Sequence, residues 1–543
     1  MQFAVPYGKG ELDMKEKTLG IMLDCSRNAV MKPEEVKRFA KLIADMGYNM
    51  LQLYTEDTYE IENEPYFGHM RGRYTKKELQ DMDAYCSSIG VELVPCIQTL
   101  AHLLQLKQWE VYEPLFDCND ILLVGDDRVY ALIEKMFTTL EECFTSRRVN
   151  VGMDEAHFIG RGKYLDIHGY RNRVDVLTEH LKRVKEIADR HGFQIMMWSD
   201  MFIRLHNGGD YYGEGIEIPQ EIIDKVPEGI ELIYWDYYHK EKSVYDEMIK
   251  THQAFQNPVW FAGGMWTWTG YVANLRLTWD VTEAAMRSVT EHKMDRVFFT
   301  LWGDNGKDCS FYTQLPMLFA AAQMANGNFD KEAIFTEFQE RYGYKYEEFL
   351  NLELLNLHEN KESCFNNPNK YLFFNDPFIG LFDSEVSEEM PERLEKAAAL
   401  IGASVNGRHY DYLFETIQKL AEVLARKIDL GIRTRKAYQS GDRECLLQLA
   451  NVDYPKVRHA LESFFTSYRR LWLLENKGFG IEVQEQRFGG LLYRMSCCEE
   501  RILAYLDGKT EQIEELEEKG LARCAGELTY WNAWNTTVTA NIM

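Results

Sequence analysis

This chain is short of positive charge: 61 Lys and Arg stand against 86 Asp and Glu, a formal net charge of −25. Phosphate backbones and anionic lipid surfaces would be repelled rather than neutralised, so neither nucleic acid nor membrane is expected as a partner. No apolar run approaches the roughly 18 residues needed to cross a bilayer. The opening stretch MQFAVPYGKGELDMKEK lacks the basic-then-apolar pattern of a signal peptide. The 11 cysteines are odd in number, include no CxxC pair and place Cys497 beside Cys498, which reads as reduced thiols in a cytoplasmic protein. No Gly-rich phosphate loop follows the first apolar run, which weighs against dinucleotide binding. No His, Asp and Glu set has metal-ligand spacing, and no metal is expected. Internal repeats and low-complexity segments are also missing.

What is present is a long chain of 543 residues, 45% hydrophobic and 13% aromatic, enough for two or three domains. Eight apolar or β-branched runs recur through its first 306 residues: 18–27, 50–57, 91–99, 149–157, 193–200, 230–238, 258–268 and 296–306. Amphipathic stretches such as KPEEVKRFAKLIADMG separate them, with charged outer faces and a terminal Gly suited to a helix C-cap. Eight such units fit an α/β fold, a (β/α)8 TIM barrel, although a doubly wound open sheet gives a similar pattern. The barrel is assigned to 18–330, after an N-terminal segment 1–17. From 331 to 543 the periodicity becomes helical with charged faces, and a mainly α-helical C-terminal domain is expected. A loop rich in Phe and Asn interrupts it at 365–385. The tail LTYWNAWNTTVTANIM is aromatic and β-prone, suited to packing on the barrel or on another subunit, and a homodimer is an expectation from this tail and the Phe-rich loop.

Nearly every run begins apolar and ends polar or aromatic: Arg27, Glu56–Asp57, Asp154–Glu155, Trp198–Asp200, Trp235–Tyr238, Trp266–Trp268 and Trp302–Asp304. In a barrel those ends converge on one face, where barrel enzymes carry their sites. Indole packs against the C–H faces of sugars, while carboxylates and Arg pair with hydroxyls, so aromatics and acids together suggest a carbohydrate pocket. Retaining glycosidases commonly use two carboxylates about 5 Å apart on different strands. Neighbours on one strand point to opposite faces, so the adjacent Asp154 and Glu155 suit a mechanism without a protein nucleophile.

Asn150-Val151-Gly152-Met153-Asp154-Glu155 resembles the His-x-Gly-Gly-Asp-Glu signature of glycoside hydrolase family 20, the β-N-acetylhexosaminidases. LQLYTEDTYEIE is similar to that family's Leu-His-Trp-His-Leu-Thr-Asp-Asp stretch. GRYTKKELQDMDAYCSSIGVELVPCIQTLAH resembles its segment ending Pro-Glu-Ile-Asp-x-Pro-Gly-His, with His102 last. MLDCSR looks like its first-strand Leu-Asp-x-x-Arg, and Trp302-Gly303-Asp304 like its Trp-x-Glu. The motifs run in family order over about 300 residues. Departures are Asn150, Met153 and Gln98, where the family has His, Gly and Asp, and too few residues precede the first run for the family's N-terminal α/β domain.

The resemblance implies an exo-acting hydrolase of terminal β-linked GlcNAc or GalNAc, retaining by substrate assistance and without cofactor. It implies Glu155 as acid/base, Asp154 as the carboxylate orienting the acetamide, and a tyrosine on the acetamide oxygen. Tyr237 and Tyr238 are both candidates, and alternation favours Tyr237. Arg27 and Asp304 would grip ring hydroxyls. Trp198, Trp235 and Trp302 would line the pocket, with Trp266 and Trp268 shaping it or filling core. His102 and His157 would brace the acids or sit in core, and Glu56 and Asp57 would contact the acids or cap a loop. Two rivals stay open: a barrel glycosidase for another linkage, and a sugar-binding barrel without turnover.

Overall fold

A computed structural model describes residues 17–357, 367–522 and 534–542. Ten strands occur among them: β1 (Thr18–Asp24), β2 (Met50–Thr55), β3 (Glu92–Ile97), β4 (Phe116–Cys118), β5 (Ile121–Leu122), β6 (Arg148–Asn150), β7 (Gln194–Trp198), β8 (Glu231–Trp235), β9 (Val259–Gly264) and β10 (Arg296–Leu301). Eight close into a barrel in the order β1-β10-β9-β8-β7-β6-β3-β2, while β4 and β5 form a separate antiparallel hairpin. Every barrel pairing is parallel, from Thr18 opposite Arg296 at the seam to Trp235 opposite Ala262. Each of the eight runs supplies one barrel strand, which selects the closed barrel over the open sheet.

The strands are buried along most of their length because parallel barrel strands are covered on both faces. Residues 50–55 of β2, for instance, are all buried. The helix Pro33–Met46 illustrates the layer outside. Pro33 opens it where a missing N–H costs nothing, Val36, Phe39, Ala40 and Ile43 form its buried stripe, and Gly47 closes it at φ 104°.

Past the barrel the fold is helical. Met390–Gly402 packs on Asp411–Lys427, that helix on Tyr454–Glu475, and that one on Ile481–Leu506. The Phe/Asn-rich stretch differs from the loop expected. Its described part contains the helix Pro368–Phe374, and Phe373, Phe374, Phe378 and Phe382 are buried against the chain's own core. Phe373 meets Tyr271 of the barrel at 5.4 Å, so these rings fill an internal seam rather than a subunit face. Residues 365–366 and 528–533, like the segment 1–16, lie outside the described residues. The tail, read as β-prone, is helical over Trp534–Val538, and Trp534 packs on Phe374.

Nine cysteines are free thiols among the described residues. Among the same residues no helix is long and apolar enough to cross a membrane.

Candidate active site

The adjacent acids reach one side of the barrel because β6 stops early. After Asn150 the backbone enters left-handed conformations at Gly152 (φ 73°), Met153 (φ 71°) and Glu155 (φ 52°). This turn cancels the strict alternation of a strand, and both carboxylates line one pocket. A side chain at position 152 would not fit: a Cβ there would lie 2.0 Å from Gln98 Oε1. The residues that depart from the family signature hold the turn. Asn150 Oδ1 accepts from Gly152 N at 3.0 Å, and Gln98 Oε1 accepts from Met153 N at 3.3 Å. Gln98 Nε2 in turn donates to Asp154 Oδ1 at 2.9 Å.

The pocket is lined by Arg27, His102, Asp154, Glu155, Trp198, Trp235, Tyr237, Tyr238, Trp268, Trp302 and Asp304. All eleven were named from the sequence, Trp268 with core packing as its alternative. Trp266, taken with it as a residue of the pocket, is a correction and does not line the cavity. It is wholly buried behind Trp268, stacked on it at 4.4 Å, with its indole N–H donated to Tyr237 O at 2.8 Å. It is Trp268, two residues on, that faces the cavity. His157 does not line the pocket either.

Asp154 is buried, which works against its charge. The His102 charge beside it, with hydrogen bonds from His102 and Gln98, outweighs that and holds its carboxyl below the usual range. The converse holds at His102: burial opposes the imidazolium, but Asp154 raises its pKa to about 9. The two are 3.2 Å apart, and the same imidazole nitrogen is 3.8 Å from Glu155 Oε2. Glu155 is about half-buried, with its side chain 44% exposed.

Across the pocket Arg27 is forked between Glu56 (3.0 Å) and Asp304 (3.3 Å). Glu56 thus holds the guanidinium in place, and Asp57 pairs with Arg71 at 2.9 Å. Burial, more than Arg27 offsets, pushes Asp304 up to about 6. Trp302 Nε1 donates to Tyr237 OH at 3.2 Å, which leaves the phenol proton free to be given elsewhere. Burial pushes the Tyr237 phenol far above its ordinary range, so it remains a donor.

Two supports escaped sequence reading. Asp200, wholly buried, accepts from the Glu155 backbone N–H and from Arg204 Nε, both at 3.2 Å. Burial and the charges of Asp154 and Glu155 push Asp200 up to about 7. Its place in the polar end of the β7 run was the available signal. The β4–β5 hairpin is the other. Asp120 accepts from His102 N at 3.0 Å, where His102 sits at φ 58°, and Asp117 accepts from the backbone at Gly160, Gly162 and Tyr164. Among the described residues no three His, Cys, Asp or Glu side chains are gathered to hold a metal ion.

Residues 19–244 match the family model described as Glycosyl hydrolase family 20, catalytic domain, and residues 347–527 match that described as Glycoside Hydrolase 20C C-terminal domain. A β-hexosaminidase of Akkermansia muciniphila is 25% identical over 169 residues, which are 25% of this chain and 34% of that protein. The chain therefore spans about a third of the length of that curated relative. The structure of a β-N-acetylhexosaminidase from Bacteroides fragilis is similar with a TM-score of 0.46 and 17% identity, covering 61% of this chain and 70% of that one. The family 20 β-N-acetylhexosaminidase of Streptomyces coelicolor gives a TM-score of 0.45 and 18% identity, covering 61% and 70%. The barrel and the matched models define a TIM-barrel protein of the glycoside-hydrolase class. With most of its barrel and most of its helical region each matched by a model of one family, the chain belongs to glycoside hydrolase family 20.

Proposed function

We propose that this chain is an exo-acting β-N-acetylhexosaminidase that cleaves terminal β-linked GlcNAc or GalNAc with retention, the substrate's acetamide serving as nucleophile. The observation that carries the reading is the turn after β6, which brings two consecutive carboxylates to one aromatic pocket, one of them held ionised by His102 and Gln98. The name of the Akkermansia relative agrees with it.

In the first step Asp154 accepts the acetamide N–H and offsets the positive charge growing on that nitrogen. Tyr237 donates to the acetamide oxygen and aims it at the anomeric carbon. As that oxygen bonds to C1, the C1–O bond to the leaving group breaks, and Glu155 gives its proton to the departing oxygen. The product is an oxazolinium ion. In the second step water attacks C1, Glu155 takes its proton, and the oxazoline ring opens to restore the acetamide with the β configuration. Two displacements on one carbon give retention. Trp198, Trp235, Trp268 and Trp302 wall the sugar and exclude water, while Arg27 donates to ring hydroxyl oxygens, Asp304 accepts from ring hydroxyls, and the two limit binding to a single terminal residue.

The test is a panel of 4-nitrophenyl β-glycosides with an N-acetylglucosamine thiazoline as inhibitor. Hydrolysis of the N-acetylglucosaminide or N-acetylgalactosaminide, with thiazoline binding orders of magnitude tighter than free N-acetylglucosamine, is expected of a transition-state mimic. Turnover of the β-glucoside alone assigns the pocket to another linkage. Binding without any turnover assigns it to a sugar-binding barrel.

A further inference from the structure

Arg27 and Asp304 stand on the loops that follow the first and last barrel strands. Within the barrel these loops are joined by Asp24, which accepts from Ser26 N and from Gly303 N, each at 2.9 Å. Outside the barrel both are held by the helical region, chiefly through the connection 475–480 and the first two turns of the helix Ile481–Leu506.

On the first loop, Lys32 N donates to Glu475 O at 3.0 Å and Lys477 N to Val30 O at 2.8 Å, with Met31 and Asn476 forming an antiparallel bridge. Gly480, at φ 84°, approaches so closely that a Cβ would lie 2.1 Å from Asn28 O. On the last loop, Asn305, Gly306 and Lys307 all have positive φ, at 53°, 115° and 59°. For non-glycine residues that is a conformation which surrounding contacts must hold in place. The contacts come from the helical region. Arg487 Nη1 donates to Asn305 O at 2.8 Å and Nη2 to Asn305 Oδ1 at 3.3 Å. Gln484 Nε2 donates to Gly306 O and to Asp308 Oδ1, both at 2.9 Å, and Tyr468 OH to Lys307 O at 3.3 Å. Gln484 is wholly buried, and the Arg487 side chain is 12% exposed.

We infer that Arg487 and Gln484 of the C-terminal helical region are positioning residues of the sugar site, holding the strained 304–307 loop so that Asp304 and its partner Arg27 meet the terminal sugar's hydroxyls at a fixed spacing. The helical region is then part of the binding machinery and not an appended module. The inference rests on the reading of the pocket as a hexosaminide site. Two residues of the loop carrying Asp304, Asn305 and Lys307, hold a backbone conformation that they would leave if released, while Gly306 between them adopts its positive φ freely. A carboxylate on such a loop has a defined direction only while its carbonyls stay engaged.

The experiment uses the full chain with Arg487→Ala, Arg487→Lys and Asp304→Ala, and Arg469→Ala as a control on an exposed side chain of the neighbouring helix. Arg487→Ala should lower kcat/KM on the aryl N-acetylhexosaminide by about 10- to 100-fold, mostly through KM, while Arg469→Ala stays near wild type. Lysine keeps the charge but not the fork, so Arg487→Lys should fall between. In the Asp304→Ala background the further loss from Arg487→Ala should be under about twofold, because residues acting through one another are not additive. Amide exchange of residues 303–308 should accelerate in Arg487→Ala whether or not the protein turns over the substrate. A wild-type protein inactive on hexosaminides, with exchange still accelerated in the variant, overturns the function proposed and leaves the clamp standing. Wild-type exchange in Arg487→Ala, or losses that multiply in the double variant, overturns the clamp. Should Arg487→Ala fail to fold, Arg487→Lys carries the same comparison.

Discussion

At His102 two effects oppose each other: burial disfavours the imidazolium, and the Asp154 carboxylate 3.2 Å away favours it more strongly. A folded-state pKa of about 9, above the ~6.5 of an unfolded histidine, means that folding takes up a proton between those values. The stability this contributes, on the order of 3 kcal/mol, is fully present below about pH 6.5 and is lost as pH rises through about 9. Replacing His102 by Gln should therefore lower the midpoint of thermal unfolding most at pH 6. The gap to wild type should close by pH 10, and a gap of equal size at both ends refutes the pairing. Glu155 is tested through the leaving group. Glu155→Gln removes the proton donor, and should cost about 10²- to 10⁴-fold on unactivated hexosaminides but far less on aryl glycosides whose phenolate leaves unaided. Equal losses on both substrates contradict the acid/base role. Both residues were legible in the sequence, as the last position of a family-like segment and as half of an acidic pair. For Asp200 only its place at the polar end of a run was legible, because accepting a backbone N–H leaves no pattern that tells such an Asp from its neighbours.

At the scale of elements, polarity at the strand ends was legible and the direction of each side chain was not. Each barrel strand falls on one of the apolar runs, β6 starting one residue ahead of its run at Arg148, since a strand covered on both faces must be largely apolar. Period-two alternation from Trp235 favoured Tyr237 over Tyr238, yet past the end of β8 both tyrosines line the pocket. It could not separate Trp266 from Trp268, which share a parity and lie beyond the last residue of β9, where backbone turns replace the pleat. The same limit applies to Asp154 and Glu155. Alternation would split them, and three left-handed residues reunite them, only one of which is the glycine that signals such a turn. The β4–β5 hairpin went unread because its strands have three and two residues, too short for any periodicity. Yet it anchors His102 through Asp120 and the loop after Glu155 through Asp117.

At the scale of the whole molecule, segment-by-segment reading separates barrel from helices, and no local pattern announces how tightly the two are joined. The joint contains a buried ion pair between Asp308, on the loop that follows β10, and Lys370, in the helix Pro368–Phe374, with side chains 2% and 0% exposed. Burial works against the Lys370 charge, and Asp308 is the main influence that restores it. Gln484 holds the other carboxylate oxygen, so the pair ties the barrel, the short helix and the long C-terminal helix at one point. Deleting one partner of a buried pair leaves an uncompensated charge and typically costs about 3 to 5 kcal/mol, whereas replacing both by apolar groups of similar volume is often nearly neutral. Asp308→Ala should therefore lower the unfolding midpoint sharply, and Asp308→Leu with Lys370→Met should recover most of the loss. The loss should reach both halves together, because the barrel's last loop and the helical region share this anchor. Tryptophan emission from the barrel and amide exchange in Ile481–Leu506 should then report one common transition in the variant. If emission holds while the C-terminal helix exchanges freely, the halves unfold independently, and the anchor serves only the helical side.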